Sequence, residues 1–232
     1  MNPNPGIIVA LDVQTLREAE GLIEMLAEHV TAFKVGKQLC TAEGVPTVLK
    51  AIHGKGGRAF LDLKFHDIPN TVEQAVKAAA DQGVWMTNMH TTAGIKAMVA
   101  ANKAKQNTLL IGVTVLTSLD DNECEQIYGT NCRSTVTSLM QRAYDSGLDG
   151  VVCSPLEASV TKQFVVRDGK AFLAVTPGIR PVGVDTNDQA RSTSPSYAKT
   201  QRADFLVIGR AITHAEDPLS AIKAIEAQLN AA

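Results

Sequence analysis

Eight apolar, largely β-branched runs recur along the 232 residues of this chain, separated by polar or amphipathic stretches, and this alternation limits the fold more than any other property. The runs are Ile7–Val13, Ala32–Leu39, Ala59–Lys64, Val84–Met89, Leu109–Leu116, Gly150–Cys153, Phe172–Thr176 and Phe205–Ile208. The intervening stretches include Thr15–His29, Val72–Gln82, Ala93–Lys105, Ser134–Ser146, Leu156–Val166 and Pro218–Leu229. Their apolar residues recur every three or four positions, which is the spacing of one helix face. Strands that are apolar throughout suit a parallel sheet covered by helices. Eight strand–helix units in this length predict an α/β fold, a single (β/α)8 TIM barrel domain over residues 1–232. A doubly wound open sheet is the alternative. It usually carries a Gly-rich turn after its first strand, and Asp12-Val13-Gln14-Thr15 is not one.

Bulk properties narrow the function. The formal net charge of −2 gives no electrostatic reason to expect nucleic acid as a partner. No apolar run approaches the roughly 18 residues of a membrane span. Met1–Gly6 lacks the basic and apolar regions of a signal peptide. The cysteines Cys40, Cys124, Cys132 and Cys153 form no C-x-x-C pair. Their simplest reading is reduced thiols in a cytoplasmic protein.

The densest chemistry lies at the end of the third run. Side chains two apart on a strand share a face, so Asp62 and Lys64 point together, away from Leu61 and Leu63. A carboxylate and an ammonium on a core strand are costly unless paired. Asp67 is off that parity and falls in a loop. Pro69 stops the strand, and Asn70 or Thr71 can cap a helix beginning near Val72.

Active-site residues of such barrels lie at the C-terminal strand ends. Those ends supply Asp12, Lys34, Asp62, Lys64, Thr117, Ser118, Pro177, Arg180, Gly209 and Arg210. The loops after strands seven and eight often form a phosphate site. Gly209 would admit a phosphate close to the backbone, and Arg180 and Arg210 could clamp it. The stretch from Pro177 to Arg191 is too long and polar for a minimal connection, as in a functional lid or a disordered loop, and it carries Arg180, Gln189 and Arg191; Arg191 reads as a surface residue. The same charges also fit a structural ion-pair network, with Lys34 solvated and Arg210 an ordinary helix lead-in. Asp62 and Asp67 could hold a divalent cation, but Lys64 already places positive charge between them. His29, His53, His90 and His214 show no metal spacing and read as structural. His66 reads as a neighbour of the motif.

The pattern Asp62-x-Lys64-x-x-Asp67-Ile68-Pro69-Asn70-Thr71 stands between Ala10-Leu11-Asp12 and the later Thr176-Pro177-Gly178-Ile179-Arg180 and Ile208-Gly209-Arg210. Together these resemble the orotidine 5'-phosphate decarboxylase family over nearly the whole chain. The D-x-K-x-x-D core is shared with a wider group of sugar-phosphate barrels, and the flanking segments narrow it. The resemblance implies decarboxylation of orotidine 5'-monophosphate to UMP in a homodimer, with no cofactor or metal. It implies that Lys64 protonates C6, that Asp62 lies near the departing carboxylate, and that Lys34 holds Asp62 and touches the ribose. Asp67 would act in the other subunit's site, and Asp12 would bind ribose hydroxyls. Thr117 and Ser118 would meet the pyrimidine. Arg180, Gln189, Gly209 and Arg210 would bind or close over the phosphate. Ile68, Asn70, Thr71 and Pro177 would complete the substrate-binding set. A magnesium-dependent sugar-phosphate enzyme and a non-catalytic ligand-binding barrel are the competing readings.

Overall fold

The computed structural model describes residues 4–164, 171–181 and 193–232. Gln189 and Arg191 lie outside the described residues. Eight parallel strands close into a barrel in sequence order: β1 Gly6–Ala10, β2 Ala32–Gly36, β3 Ala59–Phe65, β4 Met86–His90, β5 Leu109–Val113, β6 Gly150–Val152, β7 Leu173–Thr176 and β8 Phe205–Ile208. Closure is made by β8 against β1, with Ile8 opposite Val207. The expected (β/α)8 barrel is therefore present, and an open sheet is not.

The helices among the described residues are α1 Leu16–Leu26, α2 Lys37–Glu43, α3 Val45–Gly54, α4 Pro69–Asp81, α5 Ile95–Ala104, α6 Asp121–Tyr128, α7 Cys132–Asp145, α8 Pro195–Thr200, α9 Arg210–Thr213 and α10 Pro218–Asn230. Local chemistry explains several of their starts. Thr15 accepts the Glu18 amide while the Glu18 carboxylate returns to the Thr15 amide, a reciprocal cap on α1. Asp120 and Glu123 repeat the arrangement on α6. The expected cap at Asn70 or Thr71 is not found. Helix α4 begins earlier, at Pro69, because proline has no amide to leave unsatisfied at a first helical position and its φ is already helical. The expected helix at Leu156–Val166 is a 3-10 segment over Ala158–Gln163.

Strand parity divides the core in two. Ile8, Ala10, Ala32, Phe60, Met86, Ile111, Val175 and Val207 fill the barrel interior. Their neighbours Val9, Phe33, Val35, Leu61, Leu110 and Leu206 pack outward against the helices. At the N-terminal face, Asp149 accepts from Lys105 Nζ at 2.8 Å and from the Leu110 amide at 2.8 Å, tying the start of β5 to that of β6.

The expectation of four reduced cysteines needs correction. Cys124 on α6 and Cys132 on α7 are joined by a disulfide, with Cα atoms 5.4 Å apart. The intervening turn at Gly129, with φ +76°, folds α7 back toward α6 and brings the sulfurs together. Cys40 and Cys153 are buried and take no part in a disulfide.

Candidate active site

A cavity of about 550 Å³ opens at the C-terminal mouth of the barrel. Its position follows from the same period of two that builds the interior. Two residues beyond Ala10 stands Asp12; beyond Ala32, Lys34; beyond Phe60, Asp62; beyond Met86, Asn88; beyond Val175, Pro177; beyond Val207, Gly209. On the first four strands a polar layer thus rests directly on the apolar one, and on the last two Pro177 and Gly209 continue it without polar side chains.

Lys34 lies at the centre of this layer. Its Nζ donates to Asp12 Oδ1 at 2.9 Å and lies 3.4 Å from Asp62 Oδ2. Lys64 Nζ donates to Asp62 Oδ1 at 2.6 Å. The cluster is one continuous chain of charge, Asp12–Lys34–Asp62–Lys64, and its middle members are buried. Burial opposes the Lys34 charge, but the carboxylates of Asp62 and Asp12 outweigh it and raise the pKa. Burial likewise opposes ionised Asp62. Lys34, Lys64 and the Asn88 amide outweigh it and hold the carboxyl below its ordinary value. Gly36 leaves room for the array, since a Cβ there would lie 3.3 Å from Lys34 Nζ.

Lys64 has φ +55°, the left-handed region that a side chain rarely occupies. The simple alternation expected for β3 therefore ends at this residue. Nevertheless, Asp62 and Lys64 meet as expected, and Leu61 and Leu63 pack on the other side. Asn88, completely buried on β4, touches both charged neighbours: Nδ2 donates to Asp62 Oδ1 at 2.7 Å and Oδ1 accepts the Lys64 amide at 2.8 Å. Asn88 was not among the sequence candidates. Its parity with Met86 was the signal that could have found it.

The opposite wall comes from the last two strands. Pro177, Gly178 and Arg180 follow β7, and Gly209 and Arg210 follow β8; all five line the cavity. Gly178 has φ +80°, which favours glycine. Beyond it Ile179 pairs with Thr193, and the Arg180 amide donates to the Thr193 carbonyl at 2.9 Å. Thr117 lines the cavity, as do Leu116 and Lys37; so does His214, which the sequence suggested was structural.

Several expected residues stand apart from this cavity. Asp67, Ile68, Asn70, Thr71 and Ser118 do not line it. The Asp67 carboxylate accepts the Ile68 amide at 2.7 Å and sits on the exposed loop before α4. Ile68 is 66% exposed, and Ile95, at the start of the neighbouring α5, is 56% exposed. His66 and His90 lie beside this loop with ring centroids 5.3 Å apart. Burial, then His66, Lys64 and Lys37, depress the His90 pKa to about 4.

Fold and site together define a (β/α)8 barrel whose C-terminal mouth carries alternating lysines and carboxylates on one side and two arginines on the other. The chain belongs to the Orotidine 5'-phosphate decarboxylase / HUMPS family, whose model matches residues 5–225. It is 47% identical over 236 residues to an orotidine 5'-phosphate decarboxylase of Shewanella sediminis, covering 99% of each chain. It is 47% identical over 230 residues to the enzyme of that name from Haemophilus ducreyi, covering 96% of this chain and 98% of the other. The crystal structure of orotidine 5'-phosphate decarboxylase from Lactobacillus acidophilus matches with a TM-score of 0.82 at 35% identity, covering 98% of this chain and all of that one. Among the described residues no helix is long and apolar enough to cross a membrane.

Proposed function

We propose that the chain decarboxylates orotidine 5'-monophosphate to UMP in pyrimidine nucleotide synthesis. The observation that carries this reading is the chain of charge Asp12–Lys34–Asp62–Lys64, buried at its two middle members, at the mouth of a barrel of this family. The C6–carboxylate bond breaks, CO2 leaves, and the electron pair stays on C6 in the ring plane, with no adjacent electron sink. The Lys64 ammonium faces that charge and supplies the proton that forms the new C6–H bond. A fixed cation stabilises the developing charge more than the ground state. One unit-charge pair at about 4 Å contributes about 4 kcal/mol at an effective dielectric of roughly 20. Enzymes typically supply roughly 8–23 kcal/mol. Contacts to the ribose at Asp12 and Lys34, and to the phosphate at Arg180, Gly209 and Arg210, add orientation and exclude water.

In this reading the protein works as a homodimer, with Asp67 completing the partner's site. Support comes from the exposed Asp67, outside its own cavity, and from the apolar Ile68 and Ile95 beside it. Thr117 and Ser118 take the pyrimidine end. Ile68, Asn70 and Thr71 take part through the interface, and Gln189 joins the phosphate contacts. The cytoplasmic location expected from reduced cysteines loses that support at Cys124 and Cys132, and now stands on the nucleotide substrate alone.

The test is direct. Purified protein treated with EDTA and incubated with orotidine 5'-monophosphate should convert it fully to UMP, followed by absorbance and chromatography. Failure to consume the substrate would overturn the reading. Activity that appears only with added magnesium would move the chain to the metal-dependent sugar-phosphate enzymes.

A further inference from the structure

We infer that Asn88 is a positioning residue for Lys64 and Asp62, its side chain acting as the missing rung of the sheet at the bulge that carries both. The ladder between β3 and β4 pairs Phe60 with Met86 and Leu61 with Thr87, then resumes only at Phe65 with Met89. Residues Asp62, Leu63 and Lys64 therefore stand opposite the single residue Asn88. A bulge of this kind re-aims side chains and leaves backbone groups without their usual partners. The Lys64 amide is one such group, and the Asn88 carbonyl oxygen takes it at 2.8 Å. The same side chain uses its amide nitrogen to hold Asp62 Oδ1 at 2.7 Å. One amide thus fixes the left-handed backbone of Lys64 and the carboxylate that its ammonium contacts. The two jobs need an acceptor and a donor on one short, planar group, which the amide supplies at any pH. Thr87 and Thr91, the buried threonines nearest in sequence, instead donate to backbone carbonyls of Leu61 and Val113.

The kinetic arm of the test rests on the proposed decarboxylation, and the exchange arm does not. In Asn88→Ala both contacts are lost. We expect kcat to fall about 100-fold, the scale of a misplacement near 1 Å, with a much smaller change in KM. Amide exchange at Lys64 in the ligand-free protein should accelerate at least about tenfold. Asn88→Asp keeps the shape and the acceptor but sets a second carboxylate against Asp62. Two such groups share a proton more readily as pH falls, and the protonated Asp side chain can donate as the amide did. The other titratable or charged groups facing Asp62 are Lys34, Lys64, Asp12, Cys40 and His90, with Lys37 and His66 around His90. They are common to variant and wild type, so the ratio of their rates isolates position 88. That ratio should rise as pH drops from about 8 to about 5.5, whereas a loss of packing alone gives a flat ratio. Because Asn88→Asp is isosteric, it decides the matter even if Asn88→Ala does not fold. Unchanged protection of Lys64 in Asn88→Ala, or a flat ratio for Asn88→Asp, overturns the assignment. Inactive wild-type protein would instead overturn the proposed function and leave the exchange result standing.

Discussion

Lys34 Nζ lies 2.9 Å from Asp12 and 3.4 Å from Asp62, so a single buried ammonium is shared by a carboxylate just past the first strand and one on the third. Removing it leaves Asp62 buried with only Lys64 and Asn88 to offset its charge. Breaking one side of a buried pair costs roughly 3–5 kcal/mol, part of which appears as lost stability and part as a misplaced Asp62. Lys34→Ala should therefore lower both the melting temperature and kcat/KM, the latter by more than about 100-fold. Thermal unfolding and steady-state kinetics on one preparation separate the two. A variant with wild-type kcat/KM would show that the array does not depend on this ammonium.

The proposed role of Asp67 can be tested by mixing. Lys64→Ala and Asp67→Ala should each be nearly inactive alone. In a hybrid dimer, an Asp67 that reaches across leaves one site with both lesions and the other intact. Random exchange of subunits should then restore about a quarter of the wild-type rate. An Asp67 that serves its own subunit restores none. Reading the activity after co-unfolding and refolding an equal mixture checks this.

Stability should fall on mild acidification because of His90. In the unfolded chain a histidine takes up its proton near 6.5, whereas folded His90 resists it down to about 4. Between those values the unfolded state binds the extra proton. The stabilisation is thus full above about 6.5 and is lost as pH falls toward 4, where the loss levels off. Asp62, whose folded pKa is lowered, loses its share only below its ordinary value of 3.8. Melting temperatures from pH 7 to 4 should show a slope that is shallower in His90→Gln. Parallel curves for the two proteins would exclude the effect.

How much of this was legible in the chain follows from what a period of two can and cannot convey. Strand ends alone pointed to Asp12, Lys34 and Asp62, and the structure shows that each continues an interior apolar residue two positions earlier. The period of two set Lys64 beside Asp62, and that contact is present, but it gave no sign of the positive φ at which the alternation ends. Asn88 stayed hidden in an apolar run, since its value comes from a bulge in the strand beside it. The helices α2 and α3 were not distinguished either. They are short, and Gly44, with φ +79°, breaks them apart before a periodic pattern can accumulate. The disulfide joins cysteines eight residues apart on separate helices, a pairing made by the turn at Gly129 and not by any spacing motif.

The opposite end of the barrel offers a control. Asp149 is tied to Lys105 and the Leu110 amide far from the strand ends that form the cavity, at the face where barrels gain stability and not activity. Asp149→Ala should cost about 2–4 kcal/mol by leaving a buried amide and ammonium without their acceptor. Its kcat at a temperature where it is folded should match wild type. Chemical denaturation and kinetics check both, and a large loss of kcat would mean that the two ends of the barrel are coupled.

The closure of β8 on β1 sets an order of assembly. The lysine–carboxylate array is complete once the chain reaches Asn88, but Arg180 and Arg210 arrive with the seventh and eighth strands. During synthesis the two lysines and two carboxylates of the array leave the ribosome with the first three strands, ahead of either arginine. The other wall does not exist until the ribosome has passed residue 210. A nascent chain stalled before Phe205 would carry the means for charge chemistry with no far wall to hold a nucleotide against it, so substrate capture begins only when the last strand seals the first.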